Sequence, residues 1–382
     1  MITINEIVER MTGMNHNKLF TSEKLGKLSL KNRFIVAPMT RITATDDGSA
    51  TTTMRDYYER FAKGGFSAVI TEGIYTDELY SQGYLNQPGL TNHNHIETWK
   101  NVTSSVHEYG TSIIAQLMHA GGQSQGNAYT DVTVAPSTIP PKGEQLGFYG
   151  GSGSFKTPKS LSLDEIKEIR HSFKKAARHA REAGFDGVEI HGANGYLLDQ
   201  FLTNYLNERE DEYGGSLENR LKLLAEVIED VRNEVGKNFT VGIRLSQIKV
   251  ADPAYKWPEG EKSAKLIFST LEKELDYIHV TEPDGTLPAF GDGTKSLAAA
   301  AKSYSSIPVI ANGQLGDPDK ASNLIEKQEA DFVSLGTSAL ANPDYPNRLL
   351  NGKELNVFDF ESTLLPLAYI KEHEMKEDII RD

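Results

Sequence analysis

Residues 162–191, SLDEIKEIRHSFKKAARHAREAGFDGVEIH, contain one complete helix-and-strand unit, from which the fold class can be inferred. Ser162 and Glu165 form a capping box, and the apolar residues that follow recur on one helical face, which predicts an amphipathic helix. Gly184 is placed to end that helix, because glycine readily adopts the left-handed conformation found after helix C-termini. The run 187–191 (GVEIH) follows almost at once and predicts a buried strand.

The same unit recurs along the chain. A second apolar stripe starts at Leu217 and ends at Gly236, just before another strand pattern. Eight largely apolar strands are predicted, at 34–39 (FIVAPM), 67–73 (SAVITEG), 112–117 (SIIAQL), 187–191 (GVEIH), 240–245 (TVGIRL), 276–281 (DYIHVT), 307–312 (IPVIAN) and 331–336 (DFVSLG). Eight strand-then-helix units predict an α/β fold, a (β/α)8 TIM barrel. An open doubly wound sheet is disfavoured, because no G-x-G-x-x-G follows the first strand.

The barrel is predicted to occupy residues 19–355, between an N-terminal extension (1–18) and a helical C-terminal tail (356–382). Two long segments interrupt the regular units. Residues 120–159, after the third strand, are rich in Gly, Pro, Ser and Thr and predict a lid over the strand ends. Residues 246–262, after the fifth strand, are a second candidate wall of a binding site.

Composition excludes several classes of function. The net charge of -13 leaves no basic surplus for a nucleic-acid partner. The chain has no cysteine, which excludes disulfides, iron–sulfur clusters and cysteine-ligated zinc. No apolar run is long enough to span a membrane, and the first twenty residues do not resemble a signal peptide, so we expect a cytoplasmic protein. His93 and His95 lack a carboxylate at ligand spacing, so no metal is predicted there and a solvated helix start is expected instead.

Nearly every predicted strand ends in a polar side chain or a glycine. These residues are Thr40, Glu72, Gly73, Gln116, His191, Arg244, Thr281, Glu282, Asn312, Gly313, Gly336 and Thr337. Buried polar groups need partners, so a whole ring of them at the catalytic end of a barrel predicts an active site. Gly313 and Gly336 follow strands seven and eight, where barrels commonly bind phosphate. The alternative for each glycine is a simple turn into the next helix.

Four motifs then carry a resemblance to a known family. They are KNRFIVAPMTR (31–41), QLMHAGG (116–122), HGANGYLLDQFL (191–202) and DEYGGSLENR (211–220). In this order they resemble the old yellow enzyme family of NAD(P)H-dependent FMN oxidoreductases, from about residue 19 to about residue 350. The resemblance implies FMN bound at the strand ends, and NADPH or NADH as the hydride donor.

The resemblance also implies roles for single residues toward FMN. Pro38, Met39 and Thr40 would lie against the flavin ring, with Gly73 packed near it. Gln116 would bind the pyrimidine edge, and Arg244 would stabilise the negative charge that gathers there on reduction. The remaining implied contacts are to the phosphate, from Gly313, Gly336 and Thr337.

The implied substrate is a small activated alkene: an enone, a nitro compound or a quinone. His191 and Asn194 would bind its carbonyl or nitro oxygen and thereby withdraw electron density from the carbon that receives hydride. Tyr196 would protonate the neighbouring carbon. We also name Tyr84, Phe290 and Tyr345 as candidate residues of the pocket wall.

Some positions depart from the family pattern. Thr337 stands where the family usually has an arginine on the flavin phosphate, and Gly122 stands where it usually has another arginine. The alternative function is therefore that of a ligand-binding or scaffold protein, built on a flavin-poor barrel. Uptake of FMN by the purified protein distinguishes the enzyme from this alternative. Iron–sulfur relatives of the barrel are disfavoured by the lack of cysteine. The sequence is compatible with a homo-oligomer.

The motif DEYGGSLENR (211–220) is interpreted as structural in spite of its specificity. We expect Gly214 and Gly215 to make a turn, Ser216 to cap the following helix, and Arg220 to hold the loop through an ion pair.

Overall fold

A computed structural model describes residues 16–376 together with 379 and 380. The first fifteen residues of the predicted N-terminal extension therefore lie outside the described part, as do residues 377, 378, 381 and 382 of the predicted tail.

Eight parallel strands close into a ring, which confirms the predicted (β/α)8 barrel. They are β1 (Phe34–Val36), β2 (Ala68–Ile70), β3 (Ser112–Met118), β4 (Gly187–Asn194), β5 (Thr240–Lys249), β6 (Tyr277–Thr281), β7 (Val309–Asn312) and β8 (Phe332–Leu335). Each strand pairs in parallel with the next, and β8 pairs with β1, for example Ser334 with Ile35. All strands therefore point their C-terminal ends toward the same face.

An outer layer of helices covers the strands. It consists of α1 (Thr52–Lys63), α2 (His93–His107), α3 (Leu163–Glu182), α4 (Leu217–Val235), α5 (Glu261–Leu271), α6 (Leu297–Tyr304), α7 (Pro318–Glu326) and α8 (Tyr345–Leu350). The capping box of Ser162 and Glu165 is present at the start of α3, and Gly184 follows that helix with a φ of 84°. Within the described residues, no helix is both long and apolar enough to cross a membrane.

Shorter elements complete the fold. Three short helices span Leu197–Leu202, Thr337–Ala341 and Phe360–Leu364, and 3-10 turns occupy Asn17–Phe20, Gly121–Gln123, Gly147–Tyr149, Glu272–Glu274 and Glu372–Met375. Short strands are found at Glu23–Leu25, Leu28–Leu30, Ile74–Tyr75, Val134–Ala135 and Lys159–Ser160. The antiparallel hairpin of Glu23–Leu25 and Leu28–Leu30 contributes Leu25 and Leu30 to an apolar cluster with the strands.

Three strands run further than predicted, and β3 does so by one residue, to Met118. β4 continues to Asn194, and β5 continues to Lys249, where Lys249 pairs with Asn194 after an irregularity in the register. The first four residues of the predicted wall segment 246–262 are therefore strand. In contrast, β1 ends at Val36, since Pro38 lacks the N–H that a continued ladder would need.

Two expectations about local structure need correction. Ser216 caps α4 as predicted, but Arg220 holds its loop by donating to the backbone oxygens of Leu202 and Gly215 and forms no ion pair within the described residues. His93 begins α2 and is exposed, whereas His95 is buried and not solvated. The two ring nitrogens of His95 are hydrogen-bonded to Thr91 and to the backbone oxygen of Asp47, so His95 is a structural residue.

Candidate active site

A cavity of ≈ 320 Å³ opens at the C-terminal ends of the barrel strands. Its walls contain most of the residues predicted from the strand ends and motifs: Pro38, Met39, Thr40, Gly73, Gln116, His191, Asn194, Tyr196, Arg244, Gly336 and Thr337. A larger cleft of ≈ 500 Å³ lies outside the barrel, between α3 and the loop that follows β2. No strand-end residue of the ring lines that outer cleft, so the smaller cavity is the candidate active site.

His191, Asn194 and Tyr196 are brought together on one wall of the cavity. The rings of His191 and Tyr196 have centroids 5.0 Å apart. Burial, with the positive charges of Arg244 and His279, holds the pKa of His191 well below its usual range. Its imidazole is therefore neutral at neutral pH and carries one N–H donor. The Nδ1 atom of His191 is buried without a hydrogen-bond partner in the described chain.

The hydroxyl of Tyr196 has a partner in the phenol of Tyr84, which the sequence had suggested only as a candidate residue of the pocket wall. The hydroxyls of Tyr84 and Tyr196 lie 2.5 Å apart. Burial raises the pKa of Tyr196, so its hydroxyl keeps its proton at neutral pH, while the hydrogen bond with Tyr84 opposes that rise. Tyr84 itself is buried and does not line the cavity, and neither do Phe290 and Tyr345. Tyr84 therefore contacts a wall residue, Tyr196, without being part of the wall itself.

A buried polar network lies in the barrel interior beneath the opposite wall. Gln116 donates through Nε2 to Glu189 at 2.8 Å, and Nδ1 of His279 lies 2.9 Å from the same carboxylate. Tyr277 also donates to Glu189. Burial acts to raise the pKa of that carboxyl, but the contact with His279 and then the positive charge of Arg244 lower it overall. Sequence reasoning missed Glu189 and His279, because each is a single polar residue inside a run that was predicted, as a largely apolar segment, to be a strand.

Arg244 is the cation in the floor of the cavity. It donates to the side-chain oxygen of Asn312 at 3.1 Å, and its Nε is buried without a partner among the described residues. Asn312 also lines the cavity and was missed as a site residue, although its place at a strand end was noticed. One guanidinium N–H is thus available to a ligand, and Glu189 balances the positive charge.

The first strand end approaches the cavity as a non-sheet segment. Pro38, Met39 and Thr40 line it, together with Arg41. Gly73 also lines it, and a Cβ at Gly73 would lie 2.4 Å from the sulfur of Met118. A side chain at position 73 would therefore clash with Met118 of the same chain, whether or not a ligand is bound.

At the other end of the cavity, Gly336 and Thr337 follow β8 as predicted. Gly313 does not line the cavity. It adopts a φ of 130°, and a Cβ there would lie 2.3 Å from the backbone oxygen of Glu282. Close backbone packing therefore accounts for this glycine.

The predicted lid and the C-terminal tail both contribute walls. Leu146, Phe148 and Tyr149 of the segment 120–159 line the cavity, as does Leu364 of the tail. The ring of Phe148 contacts that of Phe360, with centroids 5.7 Å apart. Sequence reasoning did not place the tail at the site.

Arg41 ties the tail to the first strand end. Its guanidinium makes two hydrogen bonds to Glu374, of 2.8 and 2.6 Å, and Nε donates to the backbone oxygen of Ala368. The side chain of Arg41 is fully buried and that of Glu374 nearly so. Separating a buried ion pair would leave each charge buried without a partner, which is costly. The pair therefore holds the segment that carries Thr40 in place.

Glu72 lies behind the same segment and predicts a pH-dependent stability. It accepts from the backbone N–H of Arg41, and burial raises its pKa from an ordinary value near 4.5 to about 7. Because the folded protein binds this proton more tightly than the unfolded chain, the stabilisation is complete below about pH 4.5 and is lost as the pH rises through about 7. We expect Glu72→Gln to gain about 3 kcal/mol of unfolding free energy relative to the parent between about pH 5 and about pH 8.

Urea denaturation followed by circular dichroism at the two pH values measures this difference. Glu168→Gln is the matched control, because Glu168 is exposed and the same substitution there removes no buried carboxylate. A pH-independent difference for Glu72→Gln would show that Glu72 titrates normally.

The cavity suits a flavin on grounds of its own structure. Its volume lies at the lower end of the range of small-molecule sites. Two buried polar atoms, Nδ1 of His191 and Nε of Arg244, have no partner within the described chain. Gln116 keeps one N–H and its carbonyl oxygen for a ligand, which matches a heterocycle edge that both donates and accepts. In the described residues, no group of His, Asp or Glu side chains is arranged to hold a metal ion.

Comparison with known proteins agrees with this geometry. The profile of the NADH:flavin oxidoreductase / NADH oxidase family matches residues 18–356. A probable flavin mononucleotide-dependent alkene reductase of Leishmania infantum is 35% identical over 341 residues, covering 87% of this chain and 90% of that protein. An NADH oxidase of Thermoanaerobacter brockii is 32% identical over 345 residues, covering 88% of this chain, which spans about half (51%) of that longer protein.

The same relationship is seen among solved structures. An old yellow enzyme homologue from Zymomonas mobilis superposes with a TM-score of 0.84 at 30% identity, covering 95% of this chain and 99% of that one. The family match spans nearly the whole barrel, and the strand-end residues expected from the motifs surround one cavity. The chain therefore belongs to the NADH:flavin oxidoreductase / NADH oxidase family and is an FMN-dependent oxidoreductase of the old yellow enzyme type, with a nicotinamide nucleotide as its electron donor.

Proposed function

We propose that this protein reduces carbon–carbon double bonds activated by a carbonyl or nitro group, in two half-reactions at the one cavity. The observation that carries the proposal is the placement of His191, Asn194 and Tyr196 on a single wall, with Gln116 and Arg244 lining the same cavity. FMN, when bound, supplies the hydride that it has received from NADPH or NADH. The alkene reductase activity named for the Leishmania relative supports this choice of substrate.

His191 and Asn194 would bind and polarise the substrate oxygen. A neutral imidazole and a carboxamide each offer an N–H donor, and two donors on one oxygen stabilise the negative charge that develops there as hydride reaches the β-carbon. Burial, together with the positive charge of Arg244, lowers the pKa of His191 and so favours its neutral form. The wall would thus present two preorganised neutral donors.

Tyr196 would deliver the proton to the α-carbon. Its raised pKa means that the phenol holds its proton at neutral pH until a carbanion-like centre needs it. Tyr84, at hydrogen-bond distance, would stabilise the phenolate left after transfer. The apolar residues Leu146, Phe148 and Leu364 would exclude water from the reacting carbons.

Anaerobic mixing of the FMN-loaded protein with NADPH and then with 2-cyclohexenone tests the proposal. We expect the flavin absorbance to bleach with NADPH and to return with the enone. Protein that bleaches but is never reoxidised by an enone, a nitroalkene or a quinone would contradict the proposed substrate class. Protein that takes up no FMN would favour the ligand-binding or scaffold alternative.

Thr337 gives a prediction for the strength of FMN binding. We propose that Gly336 and Thr337 contact the phosphate, and the described residues lining the cavity include only two cations, Arg41 and Arg244. Arg41 is paired with Glu374, and Arg244 lies beside Asn312. Because a charge-assisted hydrogen bond is stronger than a neutral one, we expect Thr337→Arg to lower the Kd for FMN about tenfold.

Titration of the apoprotein by flavin fluorescence measures that Kd. The gain should shrink at high salt, since it is electrostatic. Thr337→Val is the control, because it removes the hydroxyl without adding charge and should weaken binding slightly. An unchanged Kd for Thr337→Arg would place the phosphate elsewhere.

A further inference from the structure

A buried ion pair lies directly behind the wall that carries Asn194 and Tyr196. The Nζ of Lys249 is 2.6 and 2.7 Å from the two carboxylate oxygens of Asp199. The side chains are 1% and 0% exposed, so the pair is fully removed from water. Neither residue lines the cavity, and neither has a role in the proposed chemistry.

The pair is linked to the backbone of the catalytic wall. One oxygen of Asp199 accepts the backbone N–H of Gly195 at 2.7 Å. Lys249 is the strand partner of Asn194, and a Cβ on Gly195 would lie 3.1 Å from the Cβ of Lys249. The carboxylate and the lysine thus hold the Asn194–Gly195 turn between them.

That turn has a backbone conformation that needs support. Asn194 has a φ of 63° and Gly195 a φ of 84°, so two successive residues are left-handed, one of them with a side chain. The backbone N–H of Asn194 donates to the hydroxyl of Ser246, and the backbone oxygen of Asn194 accepts from the side chain of Gln123. The Asp199 carboxylate is the side-chain acceptor that fixes the middle of the turn.

We propose that Asp199, oriented by Lys249, is a positioning residue that aims the side chains of Asn194 and Tyr196 into the cavity. The inference rests on the proposed function for its effect on rate. If the Gly195 N–H loses its acceptor, the left-handed turn relaxes and both side chains move relative to the substrate oxygen and α-carbon. A misplacement of about 1 Å costs a reaction about 100-fold.

Stability alone does not require a charged pair at this place. Desolvating two charges is costly, and an apolar pair of similar volume is commonly as stable or more stable. An apolar pair cannot accept the Gly195 N–H. Replacing both residues therefore separates stabilisation from positioning.

The experiment compares two double variants of the FMN-loaded protein. Asp199→Leu/Lys249→Met removes the acceptor, and Asp199→Asn/Lys249→Met is the matched control that keeps an oxygen for the Gly195 N–H. We expect the first to reduce 2-cyclohexenone about 100-fold more slowly, with FMN affinity within about threefold of the parent and an unchanged melting temperature. The control should stay within about tenfold of the parent rate.

Hydrogen–deuterium exchange gives a readout that does not depend on turnover. We expect amides of residues 194–198 to exchange at least about tenfold faster in Asp199→Leu/Lys249→Met, with the rest of the barrel unchanged. If Asp199→Leu/Lys249→Met does not fold, Asp199→Ala/Lys249→Met removes the same acceptor without added volume. A parent rate and parent exchange in a folded acceptor-free variant would overturn the positioning role. Parent protein that reduces no alkene refutes the proposed function instead, and the exchange result then decides the inference by itself.

Discussion

Replacing Tyr196 with phenylalanine is expected to slow alkene reduction by about 10²- to 10³-fold while the protein still accepts electrons from NADPH at a near-parental rate. A positioned general acid contributes about 10²- to 10⁴-fold, and Tyr196 is the cavity phenol whose ring lies against that of His191. Stopped-flow measurement of flavin bleaching and flavin reoxidation separates the two half-reactions. Only reoxidation by the enone should slow.

Tyr149 supplies the matched control for this prediction. It is a second phenol in the cavity wall, and its pKa is also raised by burial. Tyr149→Phe should change reoxidation by no more than about threefold, because its phenol has no part in the proposed proton transfer. Equal rates for Tyr196→Phe and the parent would mean that another group, or water, supplies the proton.

The double replacement His191→Ala/Asn194→Ala is expected to lower kcat/KM for 2-cyclohexenone by about 10³-fold or more. Loss of one donor to a developing oxyanion costs about 10²- to 10³-fold, and the two donors act as a unit, so their effects do not simply multiply. Steady-state kinetics over a range of enone concentrations measures the loss.

Retention of the flavin is the control for that variant. His191 and Asn194 are assigned to the substrate oxygen, so the FMN content after purification should stay close to that of the parent. Single variants should each account for most of the loss. A double variant that keeps kcat/KM within tenfold would show that the substrate oxygen binds elsewhere.

Periodicity in the sequence was sufficient for the fold, and the reason is physical. Parallel strands buried on both faces are largely apolar, so runs such as 112–117 can be recognised without knowledge of the neighbouring strands. The helix from Leu163 to Glu182 carries its own start and stop signals in Ser162 and Gly184. The exact ends of the strands could not be predicted from the sequence, because the extension of β5 to Lys249 depends on its pairing with Asn194.

The candidate site was predicted where it depends on motifs and missed where it depends on distant contacts. The motif residue His191 and the strand-end residue Arg244 both line the cavity. Glu189 and His279 escaped notice, because an isolated polar residue in a strand does not reveal that two strands place it opposite a partner. Leu364 lines the cavity only because the C-terminal tail folds back onto the barrel. Gly313 was assigned to phosphate because a glycine after a strand looks the same whether it meets a ligand or another backbone.

The pairing of Arg41 with Glu374 has a consequence for how the protein is made. The two residues are 333 positions apart, and contacts between such distant positions form late, because the intervening chain must be ordered first. On the ribosome, the segment that bears Thr40 and Arg41 emerges early, yet Glu374, the carboxylate partner of the Arg41 guanidinium, is synthesised after every barrel strand. The nascent barrel therefore carries an unpaired arginine beside its flavin cavity until translation has passed Glu374, and this part of the site is completed only after that.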